Sequence, residues 1–249
     1  MHILITLVVF LLVSACVTTQ NGTDSSGDTA AEINVQLGLG YLQQGRPQLA
    51  LTNFTRAIEL DSRLADAHHY AAESYRQLEQ YARADDHFKK ALKLAPKDSA
   101  VKNNYGIYLC GLQQYAEADR YFIEAVQDKF YTSTAEALEN AGLCARESGD
   151  NELAAKRFRQ AVEHDKRRAR SLYQLADLSF IAGENVGAKV FIQRYFSVAR
   201  FNAPSLWLAI RIENALGNKD EVHEYATNLH KNFPDSNEAK EFKGFWASQ

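Results

Sequence analysis

A short pattern of alanine and large apolar residues recurs along the chain at a spacing of 34 residues, interrupted by one two-residue slip. Each copy has an alanine followed four positions later by a large apolar side chain. The alanines are Ala50, Ala84, Ala118, Ala154 and Ala188, and the apolar partners are Phe54, Phe88, Phe122, Phe158 and Ile192. A fixed period of this length is typical of supersecondary units that bury their apolar faces only by stacking on one another. It predicts one continuous helical solenoid.

The repeating unit resembles the tetratricopeptide repeat, a helix-turn-helix of 34 residues. This resemblance implies an all-α superhelix, or α-solenoid, closed by a final amphipathic helix from about Asn237 to Trp246. The six repeats are predicted at 31–64, 65–98, 99–132, 135–168, 169–202 and 203–236. Small residues recur where the two helices of a unit would cross closely, at Gly38, Ala72, Gly106, Gly142 and Ala176. Four glycines share the phase of the turn between the helices, namely Gly45, Gly149, Gly183 and Gly217.

A hydrophobic leader precedes the repeats. From Ile3 to Val13 the chain is almost wholly apolar, which is too short to span a bilayer and is typical of a secretory signal. The residues at 13–16, Val-Ser-Ala-Cys, resemble the lipobox of bacterial lipoproteins, so we predict a signal peptide at 1–15 and acylation of Cys16. Met1 and His2 lack the usual positive charge, so an ordinary cleaved signal or an uncleaved leader stays open.

The residues after Cys16 differ in composition from the rest of the chain. Residues 18–29 are rich in Thr, Ser, Gly, Asn and Asp and have almost no large apolar side chain. Such a segment cannot offset the entropy of ordering, so we predict that 16–30 form an acylated N-terminus with a flexible linker. The repeat domain would then cover 31–249. Val17 in place of Asp implies, by resemblance to bacterial lipoproteins, sorting to the outer membrane of a Gram-negative cell.

Composition and motifs argue against several classes of function. The net charge of -3 provides no basic field for binding nucleic acid. The seven histidines are scattered without metal-ligand spacing, and no phosphate-binding loop, nucleophile elbow or paired-carboxylate motif stands out. We therefore expect a binding scaffold that is not an enzyme and has no metal or cofactor.

Two cysteines remain after Cys16 is set aside. Cys110 and Cys144 are 34 residues apart, so they lie near the same level on the first helices of neighbouring repeats. Stacked helices could bring them within reach of each other, and an exported protein meets an oxidising compartment. We predict a disulfide, with a pair of small buried thiols as the alternative.

The first helices of this fold line a concave groove, so their non-core positions are candidates for partner recognition. These positions are Val35, Leu39, Leu42, His69, Tyr70, Glu73, Asn103, Asn104 and Ile107. The first three are unusually apolar for exposed sites, which favours a groove for an apolar or amphipathic peptide. The alternative is that these three pack under the linker or cap the array.

Two further segments carry a more specific resemblance. They are Ala-Leu-Glu-Asn-Ala-Gly-Leu-Cys at 137–144 and Ser-Leu-Trp-Leu at 205–208, the latter followed by Arg-Ile-Glu at 211–213, Gly217 and Phe-Pro-Asp-Ser at 233–236. They are similar to the PilF/PilW family of type IV pilus biogenesis lipoproteins. The resemblance implies a monomeric, lipid-anchored pilotin that faces the periplasm and helps the secretin PilQ to reach the outer membrane and multimerise. A general periplasmic scaffold for envelope protein assembly is the alternative function.

Overall fold

The computed structural model describes the backbone of residues 25–247 and the side chains of residues 29–243. The predicted signal peptide and Cys16 lie outside these residues. Between residues 25 and 247 the chain forms thirteen α-helices and no strand. The helices are α1 (Ser25–Gln43), α2 (Pro47–Leu60), α3 (Ala65–Gln77), α4 (Tyr81–Leu94), α5 (Ser99–Gly111), α6 (Tyr115–Val126), α7 (Thr134–Glu147), α8 (Asn151–His164), α9 (Ala169–Ile181), α10 (Asn185–Val198), α11 (Ala203–Leu216), α12 (Lys219–Asn232) and α13 (Asn237–Ala247).

The predicted all-α tetratricopeptide superhelix is confirmed. The first twelve helices form six antiparallel pairs, one for each repeat, and α13 follows as the extra C-terminal helix. The first pair differs from expectation at its start. Helix α1 begins at Ser25, so residues 25–30, which we assigned to the linker from their composition, are helical.

The turn inside each pair has one recurrent conformation. The four turn glycines all have positive φ angles, between 67° and 85°. In the second and third repeats the same position is taken by Glu79 and Gln113, with φ angles of 59° and 61°. The left-handed residue is therefore a property of the repeat geometry, and glycine is only its least strained occupant.

Within a pair, the recurrent aromatic ring packs against the recurrent small residue. Phe54, Phe122 and Phe158 are fully buried, and each ring lies against a glycine of its own first helix, at position 38, 106 or 142. The absence of a side chain at that glycine lets the helices approach closely. Between repeats, the ring of Phe88 contacts Tyr105, with centroids 5.3 Å apart. The apolar core therefore continues from one repeat to the next.

The helices form an inner and an outer layer. First helices of successive repeats contact each other, α1 with α3, α3 with α5, α5 with α7 and α9 with α11. Second helices pack chiefly against the first helices on either side of them. A solenoid curves toward the side on which its helices lie closer, so the first helices form the concave face. At the C-terminal end, Ala239 and Phe242 of α13 join the core formed by α11 and α12.

Candidate partner-binding surface

The structure corrects the apolar part of the predicted groove. Val35 is buried, with 4% of its surface exposed, and it packs with Phe54 and Ala57 in the core of the first two repeats. Leu39 and Leu42 are partly buried against the same core. Our expectation that Val35 is exposed was therefore wrong, whereas Leu39 and Leu42 keep part of their surface exposed.

The polar candidates in the middle of the inner face bond to one another. His69 is 2% exposed and Asn103 is 4% exposed, so neither side chain offers a free surface. The Nδ2 atom of Asn104 lies 2.9 Å from Nε2 of His69. Asn103 donates to Oδ1 of Asn104 at 3.1 Å and accepts from Asn140 at 3.1 Å. The network joins α3, α5 and α7, so its first role is to hold the inner helices together.

Burial also changes the chemistry of this region. It lowers the pKa of His69 to about 4, so the ring is neutral near pH 7. Tyr70 stacks on His69 with ring centroids 4.6 Å apart, and burial raises the pKa of its hydroxyl. Glu73 pairs with Arg76 at 2.9 Å, which lowers the pKa of the Glu73 carboxyl, but burial has the larger effect and raises that pKa. The remaining candidate, Ile107, is partly buried against the core.

The exposed apolar residues of α1 lie elsewhere, at the N-terminal edge of the array. Ile33 is 54% exposed and Leu37 is 53% exposed. In the next four repeats the equivalent positions are all buried, because each packs against the repeat before it. They are Ala67, Val101, Ala137 and Ser171 for Ile33, and Ala71, Tyr105, Ala141 and Leu175 for Leu37. The first repeat thus presents the apolar stacking face that the others bury.

A groove of about 580 Å³ runs along this N-terminal edge. Its lining includes Ile33, Leu37 and Leu64, with Glu32 and Asp66 beside them. Sequence reasoning missed Ile33 and Leu37, although aligning them with Ala67 and Ala71 places them at the stacking phase. The signal was their position, since they hold the stacking phase in the first predicted repeat.

Cys110 and Cys144 form a disulfide in the structure, with Cα atoms 5.8 Å apart. The bond joins the C-terminal parts of α5 and α7, the first helices of the third and fourth repeats. Cys110 and Cys144 are 8% and 3% exposed. The bond therefore adds a covalent link to the polar network that already joins these two helices.

Residues 25–247 contain no helix with the length and apolarity needed to cross a membrane. Likewise, no group of three or more metal-ligating side chains comes together in this part of the chain.

Comparison with known proteins agrees with this architecture. Tetratricopeptide repeat models match residues 29–97 and 142–191. The type IV pilus assembly protein PilF of Pseudomonas aeruginosa PAO1 is 32% identical over 242 residues, which cover 94% of this chain and 96% of the relative. The chain belongs to the PilF/PilW family.

Solved structures extend this family relationship to three dimensions. A structure of Pseudomonas aeruginosa PilF matches with a TM-score of 0.77 and 30% identity, covering 88% of this chain and 99% of that one. The structure of PilW, described as a widely conserved type IV pilus biogenesis factor, matches with a TM-score of 0.73 and 29% identity, covering 85% and 97%. In the sequence comparison, an uncharacterised protein of Haemophilus influenzae Rd is also 32% identical over 162 residues, covering 65% of this chain and 90% of the relative. The PilF/PilW fold thus extends over most of the repeat array.

Proposed function

We propose that this protein is a non-enzymatic outer-membrane pilotin. It binds the subunit of the type IV pilus secretin PilQ, and promotes the localisation and multimerisation of that subunit at the outer membrane. Membership of the PilF/PilW family supports a role in type IV pilus biogenesis. The repeat architecture supports binding of a protein partner by a monomeric scaffold.

The observation that carries the proposal is the open stacking face of the first repeat. Ile33 and Leu37 are about half exposed, whereas the equivalent residues of the next four repeats are buried. Exposed apolar surface of this kind favours an amphipathic helix of a partner, which would stack on α1 as a further first helix does in the array. The secretin subunit would supply that helix.

The leader supports the site of action. Cys16 follows an apolar run and two small residues, which is the pattern of an acylated N-terminus. Acyl chains contribute about 0.8 kcal/mol for each buried methylene, and two or more chains give stable membrane attachment. The anchor would lie close in sequence to α1, so the partner would be held near the inner surface of the outer membrane, facing the periplasm.

Co-purification from detergent-solubilised outer membranes tests this function. We expect the tagged wild-type protein to recover the secretin subunit, and Cys16→Ala to lose both membrane attachment and the secretin multimer. The double variant Ile33→Asp/Leu37→Asp should recover at least about tenfold less secretin because each carboxylate would have to be desolvated at the interface.

Val186→Asp/Val190→Asp is the matched control. These valines have the same spacing on α10 and are 71% and 50% exposed. The control should bind secretin as the wild type does, and circular dichroism should give equal helix content for both double variants. Equal secretin recovery by both variants would move the site away from α1. Recovery of other envelope assembly proteins without secretin would instead support the general periplasmic scaffold.

A further inference from the structure

A cluster of two arginines, one carboxylate and three aromatic rings lies on the first helices of the last three repeats. Its members are Arg146 on α7, Tyr173, Asp177 and Phe180 on α9, and Trp207 and Arg211 on α11. These helices form the concave face at the opposite end of the array from Ile33 and Leu37. We call this set the arginine-aromatic cluster. None of its members was a candidate on sequence grounds.

The two arginines share Asp177 unequally. Arg146 donates to Asp177 and to the side-chain oxygen of Gln174, so its guanidinium is well satisfied. The Nη2 atom of Arg211 is 3.9 Å from Oδ1 of Asp177, which is too long for a hydrogen bond. The cluster therefore has two positive charges and one negative charge, and Asp177 is already bound to the other arginine.

Arg211 is held in place by rings instead of acceptors. Its guanidinium carbon lies 5.2 Å from the centroid of Phe180 and 5.8 Å from that of Trp207. Its Nε atom is buried and has no hydrogen-bond partner among the residues that the structure describes. About one third of the side chain, 36%, is exposed. Aromatic contacts orient a guanidinium without using its N–H groups, so the donors on the exposed part of the Arg211 side chain remain available.

The neighbouring charges do not cancel this positive charge. Glu213, on the same helix, is 1% exposed and binds Lys189 at 2.9 Å and Asn218 at 2.6 Å, so it is committed elsewhere. Tyr173 lies close enough to Asp177 and both arginines to feel their charges, and burial raises the pKa of its hydroxyl. The neutral phenol can donate a hydrogen bond. The cluster thus combines an excess positive charge, unpaired donors and apolar ring surface.

We propose that the arginine-aromatic cluster binds an acidic side chain of a partner peptide, with an adjacent apolar residue of that peptide on Trp207 and Phe180. A carboxylate matches the planar guanidinium fork and can accept from the terminal N–H groups on the exposed part of Arg211. The inference deepens the proposed function, because it assigns a second contact on the client protein, distant from the N-terminal edge. Charge complementarity with the two arginines favours an acidic peptide segment as the occupant.

Selection from a random linear peptide library tests the proposal without any secretin. The target is the full-length lipoprotein in detergent micelles. We expect the selected peptides to contain Asp or Glu beside an aromatic or aliphatic residue, and we expect Arg211→Gln to lose this enrichment. Selected peptides that lack an acidic residue would overturn the proposal, as would the same enrichment on Arg211→Gln.

Affinity measurements on one selected peptide separate recognition from folding. Its amide counterpart, with Asn for Asp or Gln for Glu, should bind the wild-type protein about tenfold to a hundredfold more weakly, as expected for one charge-assisted pair. Arg211→Gln should weaken the acidic peptide by a similar factor and leave the amide peptide little changed. Arg211→Lys should also weaken it, because an ammonium lacks the fork.

Arg194→Gln is the matched control. The guanidinium carbon of Arg194 lies 5.9 Å from the ring centroid of Phe191, and both residues are on the outer helix α10. It should leave peptide binding unchanged. Equal binding of the acidic and amide peptides by wild-type protein would overturn the proposal even if every arginine variant unfolded. The two proposals can fail independently. Because the peptide assay contains no secretin, an acidic peptide can bind even if secretin co-purification fails, and secretin can co-purify even if no acidic peptide binds.

Discussion

At the scale of the residue, a buried aromatic ring packs closely against a glycine in three of the repeats. A Cβ atom built at Gly142 would lie 2.6 Å from Cε1 of Phe158, well inside van der Waals contact. The same conflict occurs at Gly38 with Phe54 and at Gly106 with Phe122. Because the ring is fully buried, it has little room to move away. The glycine therefore sets the spacing between the two helices of the repeat.

We predict that Gly142→Ala lowers the free energy of unfolding. The added methyl group would displace the ring of Phe158 or separate α7 from α8, and overpacking of this kind costs about 1–3 kcal/mol. Gly40→Ala is the matched control because Gly40 also lies inside a helix, α1, and a Cβ atom there meets nothing within 4 Å. Both variants gain similar helix propensity, so Gly142→Ala should be the less stable by about 1–3 kcal/mol in urea unfolding. Equal midpoints would mean that the ring repacks without cost.

At the scale of the element, neighbouring helices are joined by buried polar groups as well as by apolar packing. His68 of α3 and His87 of α4 have their Nδ1 atoms 3.1 Å apart, and Nε2 of His68 lies 3.2 Å from the carbonyl oxygen of Ser62. A carbonyl can only accept, so Nε2 of His68 carries a proton and donates. In the neutral pair, Nδ1 of His68 then accepts from Nδ1–H of His87. Protonation of both rings would remove this hydrogen bond and place two positive charges in contact.

The histidine pair predicts a loss of stability in acid. Burial is the largest cause of the lowered pKa values of both rings, and it lowers that of His87 to about 4; Lys90 lowers both, while Asp61 and Asp86 act in the opposite direction. A histidine whose pKa is lower in the folded state than its unfolded value of about 6.5 binds protons preferentially when unfolded. The stabilising effect is therefore present above about pH 6.5 and is lost as the pH falls toward about 4.

Urea midpoints measured across this pH range test the pair. His87→Asn keeps an N–H donor for His68 but cannot be protonated, so the midpoint should fall less steeply with acid than in the wild type. His164→Asn, at the exposed C-terminal end of α8, is the control and should follow the wild-type curve. Parallel curves for wild type and His87→Asn would show that other groups dominate the acid response.

At the scale of the whole molecule, the two ends of the array differ. The C-terminal end is covered by α13, whose Ala239 and Phe242 are 0% and 8% exposed against α11 and α12. The N-terminal end presents Ile33 and Leu37. In a solenoid each repeat contacts only its neighbours, so an end stabilises or destabilises the adjacent repeats first. The contrast supports assigning recognition to the first repeat and capping to the last helix.

We predict that Phe242→Asp destabilises the C-terminal repeat selectively. A carboxylate there would have to be desolvated or would detach α13 from the core. Native-state hydrogen exchange should speed up in α11 and α12, with little change in α3 to α6. Lys243→Asp, at an exposed position of the same helix, should leave protection unchanged. A uniform loss of protection along the chain would show that the array unfolds as one cooperative unit.

The sequence by itself determined the repeat architecture. The 34-residue period fixes which alanines and aromatic rings meet, because each helix must bury the same stripe against its neighbours. The turn positions and the equivalent levels of Cys110 and Cys144 also follow from this period. The resemblance to the PilF/PilW family rests separately on segments such as residues 137–144, which are more specific than the repeat.

Only the tertiary structure decided which inner-face residues are exposed. Val35 was expected in the groove and is buried, while Ile33 and Leu37 of the first repeat are exposed. His69 and Asn104 bond across two helices, a pairing that a single repeat cannot indicate. The contacts of Arg211 with Phe180 and Asp177 likewise join α9 to α11. The exposure and the polar partners of a side chain depend on neighbouring repeats, whereas the positions of helices and turns are set within each repeat. The sequence therefore predicts the helices and turns far better than it predicts exposure and polar partners.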